Sequence, residues 1–194
     1  MAAEPSTKRG AATRRRILDA ATAEFARYGI AGARVERVIQ AARTNKAMLF
    51  GYFGSKDGLF DAVVSDALEG ITTLVPIDAE DLADWAVRLY DEYLVTPELV
   101  RLATWIRLER RPAGHLTGEA DRFDGAKTEA TARAQAAGLV GEGDPFDLMA
   151  LVIAMSCAWS PVSGVYAATA HEDPAVHERR RTLLRDCVRR ATAP

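Results

Sequence analysis

Apolar residues recur at helical spacing along almost the whole chain, and strand-like alternation is scarce. Ile17, Leu18, Ala21, Phe25 and Tyr28 mark one stripe at steps of three and four, with Thr13 placed to cap it and Gly29 to stop it. Val35, Val38, Ile39 and Ala42 mark a second stripe, and Leu49, Tyr52 and Phe53 a third. Only residues 43–45 separate these two short helices, too few for an antiparallel hairpin with long partners, so they are expected to cross steeply as a helix-turn-helix. Asn45 suits the N-cap of the later helix, because its side-chain oxygen can accept from an unpaired amide of the first turn.

Ser55 is placed to cap a fourth helix carrying Leu59, Phe60, Val63, Val64, Ala67, Leu68 and Ile71 before Pro76 ends it. Further periodic segments cover 78–95, 97–110, 119–137, 145–159 and 174–191, and Pro97, Pro145 and Pro174 each suit a first turn. Between the last two, residues 162–170 could extend a helix past Pro161. The chain is therefore predicted to be all-α, with about nine helices in three parts: a flexible arm over 1–12, a three-helix head over 13–57 and a helical body over 58–194. The fourth helix leaves the head and enters the body, so a change in its tilt would move the head.

Charge sharpens this division. Residues 1–57 hold 11 Lys and Arg against 5 Asp and Glu, whereas residues 58–194 hold 14 against 22. A basic head on an acidic body puts the polyanion-binding surface at the amino end, where Lys8, Arg9, Arg14, Arg15 and Arg16 extend it toward phosphate or the minor groove. No apolar run reaches the roughly 18 residues that a membrane span needs. Cys157 and Cys187 lack a C-x-x-C spacing and sit in apolar helical contexts without a preceding secretory signal, which predicts buried, reduced thiols in a cytoplasm.

Catalytic signatures are not found: the sequence has no G-x-S-x-G, Walker loop or dinucleotide fingerprint. His171 and His177 flank Glu172-Asp173-Pro174 at a spacing that cannot place both imidazoles on one helical face, and are read as part of a surface loop. Neither an enzyme nor a metal centre nor a bound cofactor is expected. Arg107, Arg110 and Arg111 are read as a solvated helix end that complements the dipole.

Ile17-Leu18-Asp19-Ala20-Ala21, Phe25, Tyr28-Gly29 and the run Leu49-Phe50-Gly51-Tyr52-Phe53-Gly54-Ser55-Lys56-Asp57-Gly58-Leu59 stand in a fixed register that resembles the amino-terminal domain of the tetracycline-repressor (TetR) family of bacterial transcription regulators. The resemblance covers about residues 13–64. It departs from the family pattern at Ala33-Arg34, where a capping Thr or Ser is usual, and at Arg43-Thr44 in place of Gly-Val. It departs again at Ala47-Met48 in place of Gly-Thr, and at Phe50 in place of Tyr. A positive φ at Arg43 would cost about 1 kcal/mol.

In a helix-turn-helix the amino-terminal half of the second helix faces base edges, which nominates Asn45, Lys46, Ala47, Met48 and Gly51. Lys46 can bond guanine acceptors or phosphate, while Ala47 and Met48 can pack on a thymine methyl. The resemblance adds Tyr52 and Lys56 as phosphate contacts, and Arg34 and Arg37 are further phosphate candidates. It also implies a homodimer formed through the last two long helices, a near-palindromic double-stranded DNA operator with half-sites about 34–36 Å apart, and a small-molecule effector in the body. Trp85, Tyr90, Tyr93, Trp105, Met149, Met155 and Trp159 are the candidate walls of an apolar effector pocket. The expectation is thus a ligand-released repressor. Other readings are a helical-bundle enzyme or binding protein with a DNA-binding-like head, and a DNA-binding factor without ligand control.

Overall fold

The computed structural model describes residues 8–117 and 121–194. Among the described residues the chain forms nine α-helices, one π-helical turn and no strand. The helices are α1 (Lys8–Gly32), α2 (Val35–Ala42), α3 (Lys46–Phe53), α4 (Lys56–Leu74), α5 (Leu82–Val95), α6 (Glu98–Glu109), α7 (Ala126–Ala136), α8 (Pro145–Ser156) and α9 (Pro174–Thr192). The chain divides into two compact units, residues 1–68 with 101–114 and residues 69–100 with 115–194. This differs from the boundary drawn at 57/58, because the first part of α4, to Leu68, and the later part of α6 are both gathered into the amino-terminal unit.

That first unit is organised on α1. Its stripe of Ile17, Leu18, Ala21 and Phe25 is buried together with Val38 and Ala42 of α2, Leu49 and Phe53 of α3, and Leu59, Phe60 and Val63 of α4. Phe25 and Phe60 meet edge to face with centroids 5.0 Å apart. The helix starts earlier than Thr13: it is already helical at Lys8, and the buried Thr13 hydroxyl donates to the Arg9 carbonyl one turn back, at 3.0 Å. Of the arm expected over 1–12, residues 1–7 lie outside the described residues and 8–12 are helix.

Gly29 breaks α1 as expected, with φ 71 and ψ −177, a backbone region essentially restricted to glycine. A Cβ there would stand 2.8 Å from the Trp105 ring of α6. Trp105 Nε1 donates to the Ala26 carbonyl (3.3 Å), and the Ala31 amide donates to Glu109 Oε2 (2.8 Å). Arg110 pairs with Asp57 and Asp61 while its guanidinium lies 4.7 Å from the Phe60 ring centroid. The cationic end of α6, expected to be merely solvated, is therefore clamped onto α1 and α4.

The second unit is built around α5, which packs against α9 and α8, while α7 packs on α8. Its core includes Leu82, Trp85, Ala86, Leu89, Tyr90, Tyr93, Met149, Val152, Leu184 and Val188. The start of α5 falls at Leu82 rather than 78, because Asp81 caps it by accepting from the Asp84 amide (2.9 Å), and Asp78 instead accepts from the Glu80 and Asp81 amides in the turn before. The segment expected as a helix over 119–137 is a π-helical turn, Asp121–Gly125, followed by α7; residues 118–120 lie outside the described residues.

Residues 157–173 are irregular, so no helix extends past Pro161. Glu172 closes this connection by accepting from the Thr169 amide (3.0 Å), the Tyr166 hydroxyl (3.2 Å) and Arg180 (2.7 Å). His177 lies in α9, not in a surface loop. It is buried, with Nδ1 2.7 Å from the Tyr90 hydroxyl and Nε2 3.1 Å from the Thr169 carbonyl. No described helix is long and apolar enough to cross a membrane.

Candidate nucleic-acid interface

The turn between α2 and α3 is set by two residues. Arg43 takes the left-handed conformation (φ 49, ψ 54) and ends α2, with the Thr44 amide reaching back to the Ile39 carbonyl at 3.1 Å. Asn45 then caps α3, its side-chain oxygen accepting from the Met48 amide at 2.9 Å. On α3, Leu49 and Phe53 are buried, whereas Asn45, Lys46, Ala47, Met48 and Gly51 are all exposed. Met48 is an apolar side chain left 39% accessible. Lys46 Nζ hovers 5.9 Å from the Phe50 ring centroid, short of any fixed ion pair.

The amino end of α2 is held by a residue that sequence reasoning missed. Arg34 caps α2 without a side-chain bond, and its amide donates instead to Glu24 Oε1 of α1 at 2.8 Å. The same carboxylate accepts from Arg37 Nε at 2.8 Å, and the Arg37 guanidinium lies 4.2 Å from the Tyr28 ring centroid. Glu24 is only 8% exposed. Burial pushes its carboxyl up, but the bonds from Arg37 and the Arg34 amide, with the charges of Arg37 and Lys56, outweigh this and hold it below the ordinary glutamate value. A negative charge at the start of α2 also suits the helix dipole. The signal in the sequence was an acidic residue set beside Phe25 within an apolar stripe.

Several phosphate candidates are committed elsewhere. Arg37 belongs to the Glu24 clamp and also donates to the Gly32 carbonyl (3.1 Å). The Tyr52 hydroxyl donates to the Gly10 carbonyl of α1 (3.3 Å), and Lys56 Nζ to the Ala31 carbonyl (3.3 Å). Arg34 keeps an exposed side chain. Arg16, one of the basic residues expected to extend toward phosphate, donates to the Ala42 carbonyl at the end of α2 (3.2 Å), a cation where the dipole favours one.

In the body the candidate pocket residues separate. Trp85, Tyr90, Tyr93 and Met149 are buried in the packed core. Trp85 is 1% exposed and its indole donates to the Val75 carbonyl at 3.2 Å. Tyr90 meets the Trp159 ring edge-on at 5.8 Å, with Met155, Cys157 and Trp159 half-buried at the core margin. Trp105 belongs to the other unit, as described above. Burial pushes the Cys157 thiol up to about 11 despite a bond donated by the Tyr93 hydroxyl, while Cys187, expected to be buried, is exposed on α9. A cleft of about 640 Å³ opens among His115, Asp124, Thr128, Asp144, Phe146 and Asp147, none of them a candidate pocket residue. Among the described residues no three His, Cys, Asp or Glu side chains are grouped so as to hold a metal.

Comparison with known proteins bears on both units. The model for bacterial regulatory proteins of the tetR family matches residues 17–63, and the model for the tetracyclin repressor-like C-terminal domain matches residues 81–190. The transcriptional repressor SCO4008 of Streptomyces coelicolor is 39% identical over 148 residues, 75% of this chain and 77% of that protein. The transcriptional repressor NicS of Pseudomonas putida is 34% identical over 97 residues, 46% of each chain. A solved structure of SCO4942 from Streptomyces coelicolor, described as a transcriptional regulator, superposes with a TM-score of 0.78 at 34% identity, covering 93% of this chain and 98% of that one. With its helix-turn-helix matched in register and its body matched over more than half of the sequence, the chain belongs to the tetracycline-repressor family of bacterial transcriptional regulators.

Proposed function

We propose that two copies of this chain bind a near-palindromic DNA operator as a repressor, each inserting α3 into the major groove, and that a small effector held in the body releases them. The observation that carries this reading is the outward face of α3. Leu49 and Phe53 fix the helix to the core, while Lys46, Ala47, Met48 and Gly51 face solvent with no packing duty. Arg34, exposed at the start of α2, would supply a phosphate contact that sets register.

Pairing is supported by the exposed sides of the last two long helices. Along α8, Ala150, Leu151 and Ala154 are exposed, with Ala158 just beyond its end; along α9, Leu183 and Cys187 are exposed. Adjacent apolar faces of this kind suit a four-helix contact between two copies. The effector is proposed to be largely apolar and to meet the half-buried Met155, Cys157 and Trp159. Binding would favour one body conformation only by its differential affinity for it.

The test is a pull-down of genomic fragments followed by gel shift at two salt concentrations. A near-palindromic fragment, salt-sensitive and bound about tenfold more weakly by Lys46→Ala and Arg34→Ala, is the expected result. No retained fragment, or variants equal to the parent, would sink the reading. Thiol labelling checks the dimer: Cys187 should react readily in dilute protein and slow as concentration rises, whereas Cys157 should stay unreactive at neutral pH throughout.

A further inference from the structure

We infer that the base-reading face of α3 presents mainly hydrogen-bond donors and apolar surface, and so reads guanine acceptor atoms and thymine methyl groups rather than the amino groups of cytosine or adenine. This rests on the reading that α3 enters the major groove. The decisive residue is Asn45. An asparagine amide ordinarily brings one acceptor and one donor to a base edge, and can match adenine at two points. Here the atom bonded to the Met48 amide must be the oxygen, because a backbone N–H can only donate. The Asn45 oxygen spends one of its two lone pairs on the cap and is held toward the α3 backbone, which leaves the NH2 as the group turned outward.

Lys46, Ala47, Met48 and Gly51, the rest of the exposed face, add no hydrogen-bond acceptor. Lys46 is a donor at all its positions, and Ala47, Met48 and Gly51 bring no side-chain hydrogen-bonding group. Major-groove acceptors are guanine N7 and O6, adenine N7 and thymine O4, while the thymine C5-methyl is the apolar feature. Lys46 and the Asn45 NH2 therefore favour guanine, which presents N7 and O6 side by side, and Met48 with Ala47 selects the methyl. Gly51 extends the same face: a Cβ there would meet nothing within 4 Å, so the fold does not call for glycine, and the missing side chain lets the helix backbone approach the bases closely.

The experiment starts from a duplex selected by the full-length protein from a randomised pool, then resynthesised with uracil for thymine, which deletes only the methyl groups. Loss of one buried methyl contact is worth about a fourfold change in affinity, so replacement in both half-sites should weaken binding about tenfold or more. Met48→Ala should bind the thymine and uracil duplexes nearly equally, and Met48→Leu should restore the preference. Replacing the selected guanines with 7-deazaguanine should weaken the parent and leave Lys46→Ala little changed. A selected duplex that binds equally with thymine or uracil, for parent and both Met48 variants, overturns the inference while leaving DNA binding intact. Failure of the pool to yield any duplex overturns the DNA-binding reading itself.

Discussion

The outward face of α3 and the interior of the body use large apolar side chains in opposite ways. In the body, Trp85, Tyr90, Tyr93 and Met149 are drawn into the core, and their polar atoms find protein partners such as the Val75 carbonyl for Trp85 and His177 for Tyr90. On α3, Met48 is left 39% exposed, and a Cβ at Gly51 would meet nothing within 4 Å. The body aromatics thus pack the core, whereas Lys46, Ala47, Met48 and Gly51 stand outside it. Substitutions should separate the two: body changes should move unfolding, and α3 changes should move DNA affinity at nearly constant stability.

The largest effect is expected at Trp85. Trp85→Ala would empty a site that is 1% exposed and strand the Val75 carbonyl, costing about 3–5 kcal/mol in urea unfolding. A loss below about 1 kcal/mol would mean that the indole walls an open cavity after all. In the other unit Gly29→Ala should come next, at about 2–4 kcal/mol, because the backbone there is essentially glycine-only and the new methyl would press on Trp105. Gly29→Ala with near-parental stability would show that the α6 clamp is loose.

Glu24 gives a medium effect with a pH signature. Glu24→Gln keeps the size but removes the charge facing Arg37, and should cost about 1–3 kcal/mol, discounted for the solvent that reaches Arg37. The folded carboxyl titrates below its unfolded value, so its contribution is present above about pH 4.3 and is lost as pH falls through the lower, folded value. The parent should therefore lose stability steeply on acidification across that window, and Glu24→Gln less so. Parallel acid curves for the two proteins would remove Glu24 from this role.

How much of this was legible depended on whether a residue's neighbours are local. The Asn45 cap, the Gly29 break and the positive φ at Arg43 follow from three or four consecutive residues, and each is found where the sequence placed it. The fixed register of the head then told buried Leu49 and Phe53 from exposed Lys46 and Met48. The pairing of Arg37 with Glu24 was not legible, because its partner lies 13 positions away on another helix. Trp105 was assigned to the body because periodicity cannot say that the end of α6 packs on Ala26, 79 positions earlier. For Trp85, Tyr90 and Tyr93 helical spacing is the same in a packed core and a pocket wall, so the pattern could not choose between them.

The smallest effect is the most diagnostic, because it should run in opposite directions in two assays. Glycine inside a helix costs roughly 0.5–1 kcal/mol relative to alanine, and a Cβ at position 51 would meet nothing within 4 Å. Gly51→Ala should therefore stabilise the protein by about that amount in thermal or urea unfolding. The same methyl would stand between the α3 backbone and the base edges, so affinity for the selected duplex should fall several-fold while the salt slope, set by phosphate contacts, stays near that of the parent. If stability and affinity both rose, α3 would not approach the bases along this face. If stability fell, Gly51 would have a packing role that its surroundings do not show, and the division between a face kept for DNA and a core kept for folding would fail at its simplest residue.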